Sequence, residues 1–132
     1  MCLVVKKLFE NRQEAITFSK NPLIAENDIT VYKMLDKDQN KYYSPCQYTQ
    51  YCRGELKTAD GFGFDILSNR ITINNGIHAY TDKRHALGVA TTFKYSIVIK
   101  CYIPKGTPYF IGIYNEIVSL ALQMPKVFNV IK

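Results

Sequence analysis

The sequence predicts an α+β fold: one compact domain with a mostly antiparallel, twisted sheet of four to six strands and two short helices. Three observations lead to this class. The chain has 132 residues, 47% of them hydrophobic, so one core can bury about two-thirds of the surface of the unfolded chain. Several segments alternate apolar and polar residues, as half-buried strands do. Two segments carry helix-start signals, and no linker, internal repeat or low-complexity tract divides residues 1–132.

The N-terminal part of the chain indicates one short helix and one strand. In "ENRQEAITFSKN", Asn11 is followed three residues later by Glu14, which is the spacing of a capping box, and Pro22 indicates that the helix has ended. "DITVYKML", residues 28–35, alternates and is rich in β-branched and aromatic residues, so it predicts a strand. The polar, tyrosine-rich stretch 36–56 suits a long loop or a loosely paired strand.

The middle of the chain indicates a turn, two strands and a second helix. "ADGFGF" favours a turn, "RITINN" predicts a strand, and "GIHAY" predicts another strand after a break at Gly76. Thr81 and Asp82 are good helix-start residues, and "DKRHALGVA" can form two turns before Gly88 weakens the helix.

The C-terminal part contains the clearest strand. In "YSIVIKCYIP" the odd-numbered residues 95–103 point one way and the even-numbered residues 96–102 point the other, and "PKGTP" closes the strand. "EIVSLALQM" places Val118, Leu120, Leu122 and Met124 on one strand face. "KVFNVIK" predicts a last strand after Pro125.

The sequence predicts a cytosolic protein that neither crosses a membrane nor holds a metal. No apolar run approaches the roughly 18 residues that span a bilayer, and "MCLVVKKLF" lacks the order and length of a secretory signal. The four cysteines are expected to be thiols, since reducing compartments disfavour disulfides; they are Cys2, Cys46, Cys52 and Cys101. No cysteine spacing matches a common zinc site, and the two histidines are predicted on different elements.

The charge distribution indicates a basic surface. Residues 1–82 carry ten Lys and Arg against ten Asp and Glu, whereas residues 83–132 carry seven against Glu116 alone. This asymmetry is compatible with binding of nucleic acid or of an acidic protein, and also with solvated strand faces that use lysine to protect sheet edges. The candidate binding residues are Lys83, Arg84, Lys94, Lys100, Lys105 and Lys126.

The order of several segments resembles a group of small uncharacterised proteins encoded by gut anaerobes and their phages. The segments are "MCLVV", "DITVYKML", "GIHAYTDKRHA", "IVIKCYIPKGTPYFIG" and "NEIVSLAL". In that group the matching parts look like an "xITVYKxL" strand, a "GxHAY" or "GxHSF" strand, an alanine-bearing helix and a "VxKCxIPKGxxYYxG" strand. The likeness covers most of residues 28–122. It implies a compact cytosolic domain of phage or mobile-element origin, and it implies no activity.

The chain also resembles, over fewer positions, the mono-ADP-ribosyltransferase fold. In that fold a first strand ends in an aromatic-basic pair, which Tyr32 and Lys33 match. A later "G-x-aromatic-x-T" strand precedes an alanine-bearing helix, and a glutamate near the last strands acts on the ribose. The resemblance implies His78, Tyr80 and Glu116 as candidate catalytic residues. The chain departs from the pattern because it has a lysine where an Arg or His is expected and lacks the serine-threonine motif.

The sequence therefore favours a non-enzymatic domain that binds a protein partner and needs no cofactor. Ten tyrosines and no tryptophan offer large contact area on side chains that keep one end in water, and no convergent group of catalytic residues is visible. Two alternatives stay open: a nucleic-acid-binding protein that uses the basic C-terminal part, and an NAD-dependent transferase centred on the three residues of the second resemblance. The oligomeric state is open as well.

Overall fold

The computed structural model describes residues 3–5, 8–45, 49–67, 69–92 and 96–132. In this part of the chain there are two helices, α1 (Arg12–Ser19) and α2 (Lys83–Thr92). The strands before α2 are β1 (Leu3–Val4), β2 (Leu23–Ile24), β3 (Ile29–Asp38), β4 (Lys41–Tyr43), β5 (Gln50–Tyr51), β6 (Leu56–Thr58), β7 (Gly63–Leu67), β8 (Arg70–Asn75) and β9 (Ile77–Tyr80). The strands after α2 are β10 (Ser96–Ile103), β11 (Pro108–Ile111), β12 (Glu116–Ser119) and β13 (Ala121–Gln123).

The strands form two sheets in which the described pairs are antiparallel. The larger, ten-stranded sheet has the order β2-β11-β12-β9-β3-β10-β13-β6, with β4 and β5 added beside β3, and the smaller sheet has the order β1-β8-β7. The α+β class and the mostly antiparallel sheet are confirmed. The expectation of four to six strands is wrong, because strands of two or three residues are too short to show alternation and residues 36–67 contain β4, β5, β6 and β7.

The larger sheet curls around one of its own faces. β12 and β13 are joined by Leu120 alone, yet β9, β3 and β10 lie between them in the sheet order. In a flat sheet four strand spacings would hold them about 19 Å apart, whereas the two Cα steps from Ser119 to Ala121 span at most about 7.6 Å. The sheet must therefore bend until β12 and β13 meet. We call the enclosed side the inner face and the opposite side the outer face.

Among the described residues, three buried clusters hold the fold together. The inner face is filled by residues of β3, β9, β10, β12 and β13 together with Tyr51 and Phe128, and no helical residue belongs to this cluster. On the outer face, Phe110 and Val118 pack against the small sheet and α1. Farther along the outer face, the buried Ala86 of α2 packs on a cluster from β3, β9 and β10.

The elements with the strongest local signals lie where the sequence predicts them. α1 begins after Asn11, whose side-chain oxygen accepts a hydrogen bond from the backbone N–H of Glu14 at 2.8 Å. β3, β8, β9 and β10 occupy the predicted segments. Gly76, with φ of +118°, makes the break before β9, and Cys101 and Ile103 of β10 are buried as their alternation predicts.

α2 is longer than predicted. Gly88 does not end it, and the helix runs to Thr92. Ala86 and Ala90, on the side of α2 that faces the sheet, are both buried. This packing offsets the weak helix propensity of glycine.

Two C-terminal predictions are wrong. Val118 and Leu122 do not share one face, because the chain leaves β12 at Leu120; Val118 packs toward the small sheet and Leu122 on the inner face. "KVFNVIK" forms no strand and only one isolated bridge, between Val130 and Ile99. Phe128 instead turns inward and meets Tyr42 edge-on, with ring centroids 4.8 Å apart.

Candidate functional site

A row of four side chains crosses the outer face of the large sheet. Glu116 of β12 pairs with Tyr80 of β9, which pairs with Tyr32 of β3. Tyr32 in turn pairs with Lys100 of β10. Directly paired residues of antiparallel strands project to the same face with Cβ atoms about 4.5–5.5 Å apart. The row therefore runs from a carboxylate through two phenols to an ammonium group.

α2 places an imidazole at the acidic end of this row. The rings of Tyr80 and His85 have centroids 5.3 Å apart. Burial raises the pKa of the Glu116 carboxyl, and positive charge on His85 partly offsets the effect. We call Tyr80, His85 and Glu116 the Glu116 cluster. A half-buried carboxyl beside an imidazole can accept a hydrogen bond from a ligand hydroxyl or exchange a proton with it.

A shallow depression lies along α2 next to this cluster. It has a volume of about 400 Å³ and is lined by Arg84, His85, Gly88, Val89 and Thr92. His85 belongs to both the depression and the Glu116 cluster. A small molecule in the depression would therefore meet one imidazole and one guanidinium over an apolar floor.

His78 does not join the Glu116 cluster. Its partner across the strands is Val118, and its ring nitrogens lie 3.1 Å from the carbonyl oxygen of Ile73 and 3.3 Å from that of Gly76. Burial lowers the pKa of His78, so the neutral imidazole donates one hydrogen bond, and we assign it to the shorter contact with Ile73. The structure therefore brings Tyr80 and Glu116, two of the three predicted catalytic residues, together and holds the ring of His78 against two backbone carbonyl groups.

Lys33 lies on the inner face, opposite to Tyr32. It is only 6% exposed, its ammonium group donates to the carbonyl oxygen of His78 at 2.5 Å, and it stands 5.2 Å from the centroid of the Tyr51 ring. These contacts compensate the cost of removing the ammonium group from water. The aromatic-basic pair at residues 32 and 33 is thus split between two faces, because successive residues of a strand point to opposite sides.

Cys101 is a buried core thiol. It is 4% exposed, and burial raises the pKa of its thiol to about 12, although the nearby charge of Lys33 acts in the other direction. A thiol with this pKa carries almost no thiolate at neutral pH. The expectation that Cys101 behaves as a small hydrophobic residue agrees with this position.

Beside α2 the outer face of the large sheet has no helix or sheet over it among the described residues. β3, β10, β13 and β6 are neighbours here, and their paired residues project to this side. Tyr102 is 40% exposed and Leu56 is 52% exposed, and both pair with Gln123 of β13. We call this surface the open face; it consists of Thr30, Leu56, Thr58, Lys100, Tyr102, Ala121 and Gln123, together with Tyr32, which packs against the α2 cluster and forms the border.

The five predicted basic residues that the structure describes are exposed but are distributed over different parts of the fold. Lys83 and Arg84 stand in the first turn of α2, and Lys100 lies on β10. Lys105 follows β10, where its backbone N–H donates to the carboxylate of Asp28 at 2.9 Å. Lys100 projects from the open face directly beside Tyr32, its partner on β3.

The remaining residues named from the sequence are two lysines and three cysteines. Lys126 is exposed in the segment after β13, and its side chain lies 3.9 Å from the position of a Cβ built on Gly54. Lys94 lies outside the described residues, as do Cys2 and Cys46. Cys52 is a free, exposed thiol.

The open face and His85 are the parts that the sequence did not predict as a site. His85 is brought to Tyr80 because α2 folds back over the strand that precedes it, and the start signal at Asp82 is the one local hint of this geometry. Asp82 accepts from the backbone N–H of Arg84 at 3.2 Å. The open face depends on which strands remain uncovered, which no local pattern encodes.

No group of three or more His, Cys, Asp or Glu side chains within the described ranges is placed to hold a metal ion. The same residues contain no helix that is both long and apolar enough to cross a bilayer. No protein-family model, curated protein or solved structure matches the chain.

Proposed function

We propose that the protein is a non-enzymatic, cytosolic module that binds an acidic protein partner through its open face. The observation that carries this proposal is the uncovered surface of four adjacent strands, from which Lys100 and two exposed apolar side chains, Leu56 and Tyr102, project. A sheet face of this kind is usually covered by another element, because burial of its apolar side chains is favourable.

Tyr102 and Leu56 are suited to anchor a partner. Each keeps a large exposed fraction, 40% and 52% respectively, although both stand on paired strands that hold their backbones in place. Tyrosine is enriched among residues that dominate interface energies, and truncation of such an anchor typically costs more than about 1 kcal/mol. Rigid strands reduce the entropy that binding would otherwise cost.

Charge supports an acidic partner. Lys100 is the one charged residue of the open face, and the only acidic residue among residues 83–132, Glu116, is half-buried beside His85. Lys100 stands among the uncharged side chains of the open face, where a carboxylate of the partner would be attracted and partly desolvated. Complementary charge of this kind increases the rate of association and selects among partners.

The test is a pull-down of the tagged protein from a lysate of a gut anaerobic bacterium, at low and high salt and with or without nuclease. We expect one stoichiometric protein that survives high salt and nuclease with the wild type and is lost with Tyr102→Ala and with Lys100→Glu. Lys37→Glu is the matched control, since it makes the same charge change on an exposed residue of β3 outside the open face. Retention of the same protein by both open-face variants would overturn the proposal.

Nucleic-acid binding is the rival outcome of the same experiment. Recovery of material that is sensitive to nuclease and to salt would favour it, because phosphate contacts release counterions and weaken steeply as salt rises. Charge reversal at Lys83 and Arg84 would then weaken binding, whereas the protein-binding proposal expects little effect from these positions.

NAD-dependent mono-ADP-ribosyl transfer is a second candidate, favoured by the pairing of Tyr80 with Glu116. The Glu116 carboxylate would accept hydrogen bonds from ribose hydroxyls, and His85 would hold its orientation. The fit to the cofactor is partial, since Lys33 lies on the inner face and does not reach this cluster. Incubation with labelled NAD and cell extract should label an acceptor with the wild type and not with Glu116→Gln; absence of labelling by the wild type would exclude this candidate.

A further inference from the structure

β6 borders the open face and forms the last strand of the large sheet. Its ladder with β13 is fixed by two hydrogen bonds, from Met124 N–H to Glu55 C=O and from Ala59 N–H to Leu120 C=O, each 2.9 Å long. The direction of backbone groups alternates along a strand, so residues 55, 57 and 59 face β13. The N–H and C=O groups of Leu56 and Thr58 therefore point away from the sheet.

The outer edge of β6 is accessible. Leu56 and Thr58 are both exposed, and among the described residues no strand pairs with this edge. Their side chains lie on the open face, whereas Lys57 pairs with the buried Leu122 and lies on the other side. Lys57 is half-buried there, and its ammonium group donates to the carbonyl oxygen of Gln50 at 2.8 Å.

We propose that the partner adds an extended, acidic segment to the outer edge of β6. Its backbone would pair with the outward groups of Leu56 and Thr58. Every second side chain of the segment would extend the open face. The side chains between them would lie on the other side of the sheet, where a carboxylate would stand opposite Lys57. This inference rests on the proposed function, because it specifies how the partner of the open face is held. Strand addition supplies affinity from main-chain hydrogen bonds and specificity from alternate side chains.

The positive charge of Lys57 disfavours pairing of β6 with the β6 strand of a second copy of the chain. In a two-fold antiparallel pairing centred on β6, Leu56 would meet Thr58 of the other copy and Lys57 would meet its own equivalent. The central pair would be a non-hydrogen-bonded one, in which side chains approach most closely. Like charges directly opposite each other are destabilising, and an edge lysine is a known protection against such self-association. A strand with a carboxylate at this position reverses the sign of the interaction.

Thr58→Pro is the decisive variant. Proline removes the outward N–H of residue 58 and leaves the β13 ladder bonds of Lys57 and Ala59 in place, and proline is tolerated on sheet edges for this reason. Thr58→Val is the matched control, since it keeps both the N–H and a β-branched side chain. Lys57→Glu provides a second test that does not depend on how well proline is accommodated.

The probe is a displayed library of random decapeptides, selected on the wild-type protein at moderate salt. We expect enriched peptides without proline that carry Asp or Glu flanked by β-branched or aromatic residues. Their affinity should fall at least tenfold with Thr58→Pro and stay within twofold with Thr58→Val. Selection on Lys57→Glu should enrich Lys or Arg at the central position. Failure to enrich any such peptide, or equal binding to Thr58→Pro, would overturn strand addition.

The two proposals fail in different ways. If the captured cellular partner is lost with Tyr102→Ala but retained with Thr58→Pro, the open face binds it and strand addition is wrong. If the partner is retained with both variants, the open-face proposal is wrong as well. Loss with both variants, and retention with Thr58→Val, supports both.

Discussion

Gly76→Ala should strongly destabilise the protein. Gly76 joins β8 to β9 with φ of +118°, a conformation that residues with a side chain rarely adopt. A Cβ at this position would lie 2.6 Å from Cγ2 of Val118 and 3.2 Å from Cδ1 of Phe62. Val118 is fully buried, so its side chain cannot move away without disturbing the cluster under the small sheet.

The expected loss in free energy of unfolding is the sum of two effects, backbone strain and steric overlap. A residue with a side chain in a sparsely populated φ/ψ region costs roughly 1–3 kcal/mol, and forcing extra volume into a packed core costs roughly 1–3 kcal/mol. We therefore expect Gly76→Ala to lower the free energy of unfolding by about 2–6 kcal/mol. A domain of this size is stable by only about 5–15 kcal/mol, so the variant should unfold at a much lower urea concentration.

Urea denaturation followed by circular dichroism measures this change. We expect the midpoint to fall by about 1–3 M if the slope of the free energy with urea is about 2 kcal/mol/M. Gly61→Ala is the control, because a Cβ there meets nothing within 4 Å. A loss below about 1 kcal/mol for Gly76→Ala would refute the reasoning, since each of the two effects alone predicts at least that much.

A double-mutant cycle separates the two effects. Val118→Ala removes the atom nearest to the new Cβ, so it relieves the clash and leaves the backbone strain unchanged. If the clash dominates, Gly76→Ala should cost about 1–3 kcal/mol less in the Val118→Ala background, a coupling within the usual range for residues in contact. Additive effects would assign the cost to the backbone.

Three further predictions follow from burial and exposure. Gly88→Ala should raise the stability by about 0.5–1 kcal/mol in thermal unfolding, because Gly88 lies inside α2 and a Cβ there meets nothing within 4 Å; a loss of stability would show that the space is occupied. Burial lowers the pKa of folded His78 below 6.5, so the unfolded chain takes up a proton first as the pH falls through about 6.5, and the free energy of unfolding should decrease below that pH. His78→Gln should flatten this dependence in urea titrations between about pH 5 and 8, and an unchanged slope would contradict it. Cys101→Ser should leave the rate and extent of thiol labelling of the folded protein unchanged, since the Cys101 thiol is buried. A loss of one labelled thiol per molecule in this variant would show that the reagent reaches Cys101 in the wild type.

Local patterns predicted β3, β10 and the start of α1 because each depends on neighbouring residues. Alternation over eight residues places Ile99 and Cys101 in the core whatever strand lies beside them. The Asn11 cap needs only the backbone three residues later, and the structure has that hydrogen bond at 2.8 Å. Strands of two residues, such as β1 and β2, carry no such period and form only because a distant strand pairs with them.

The candidate site was predicted in part. Tyr80 and Glu116 were named from a resemblance, and their pairing across β9 and β12 brings them together. His78 was named from the same resemblance, but it stands two residues before Tyr80 on β9 and therefore lies opposite Val118 rather than Glu116. The burial of Lys33 could not be predicted from residue type, because lysine is almost never buried. It is possible here because the ammonium group donates to a carbonyl oxygen of a residue 45 positions away in the chain.

By itself, the sequence determined the class of the fold, the phase of its longest strands, the positions of its two helices and the basic excess of its C-terminal part. These properties depend on neighbouring residues or on residue counts. The tertiary structure decided how the sheet curls, which strands remain uncovered beside α2, and that Lys57 and Lys100 lie on opposite sides of the sheet near its free edge. Strand order depends on pairings between distant residues, and their free energies are set by shared burial rather than by local preference.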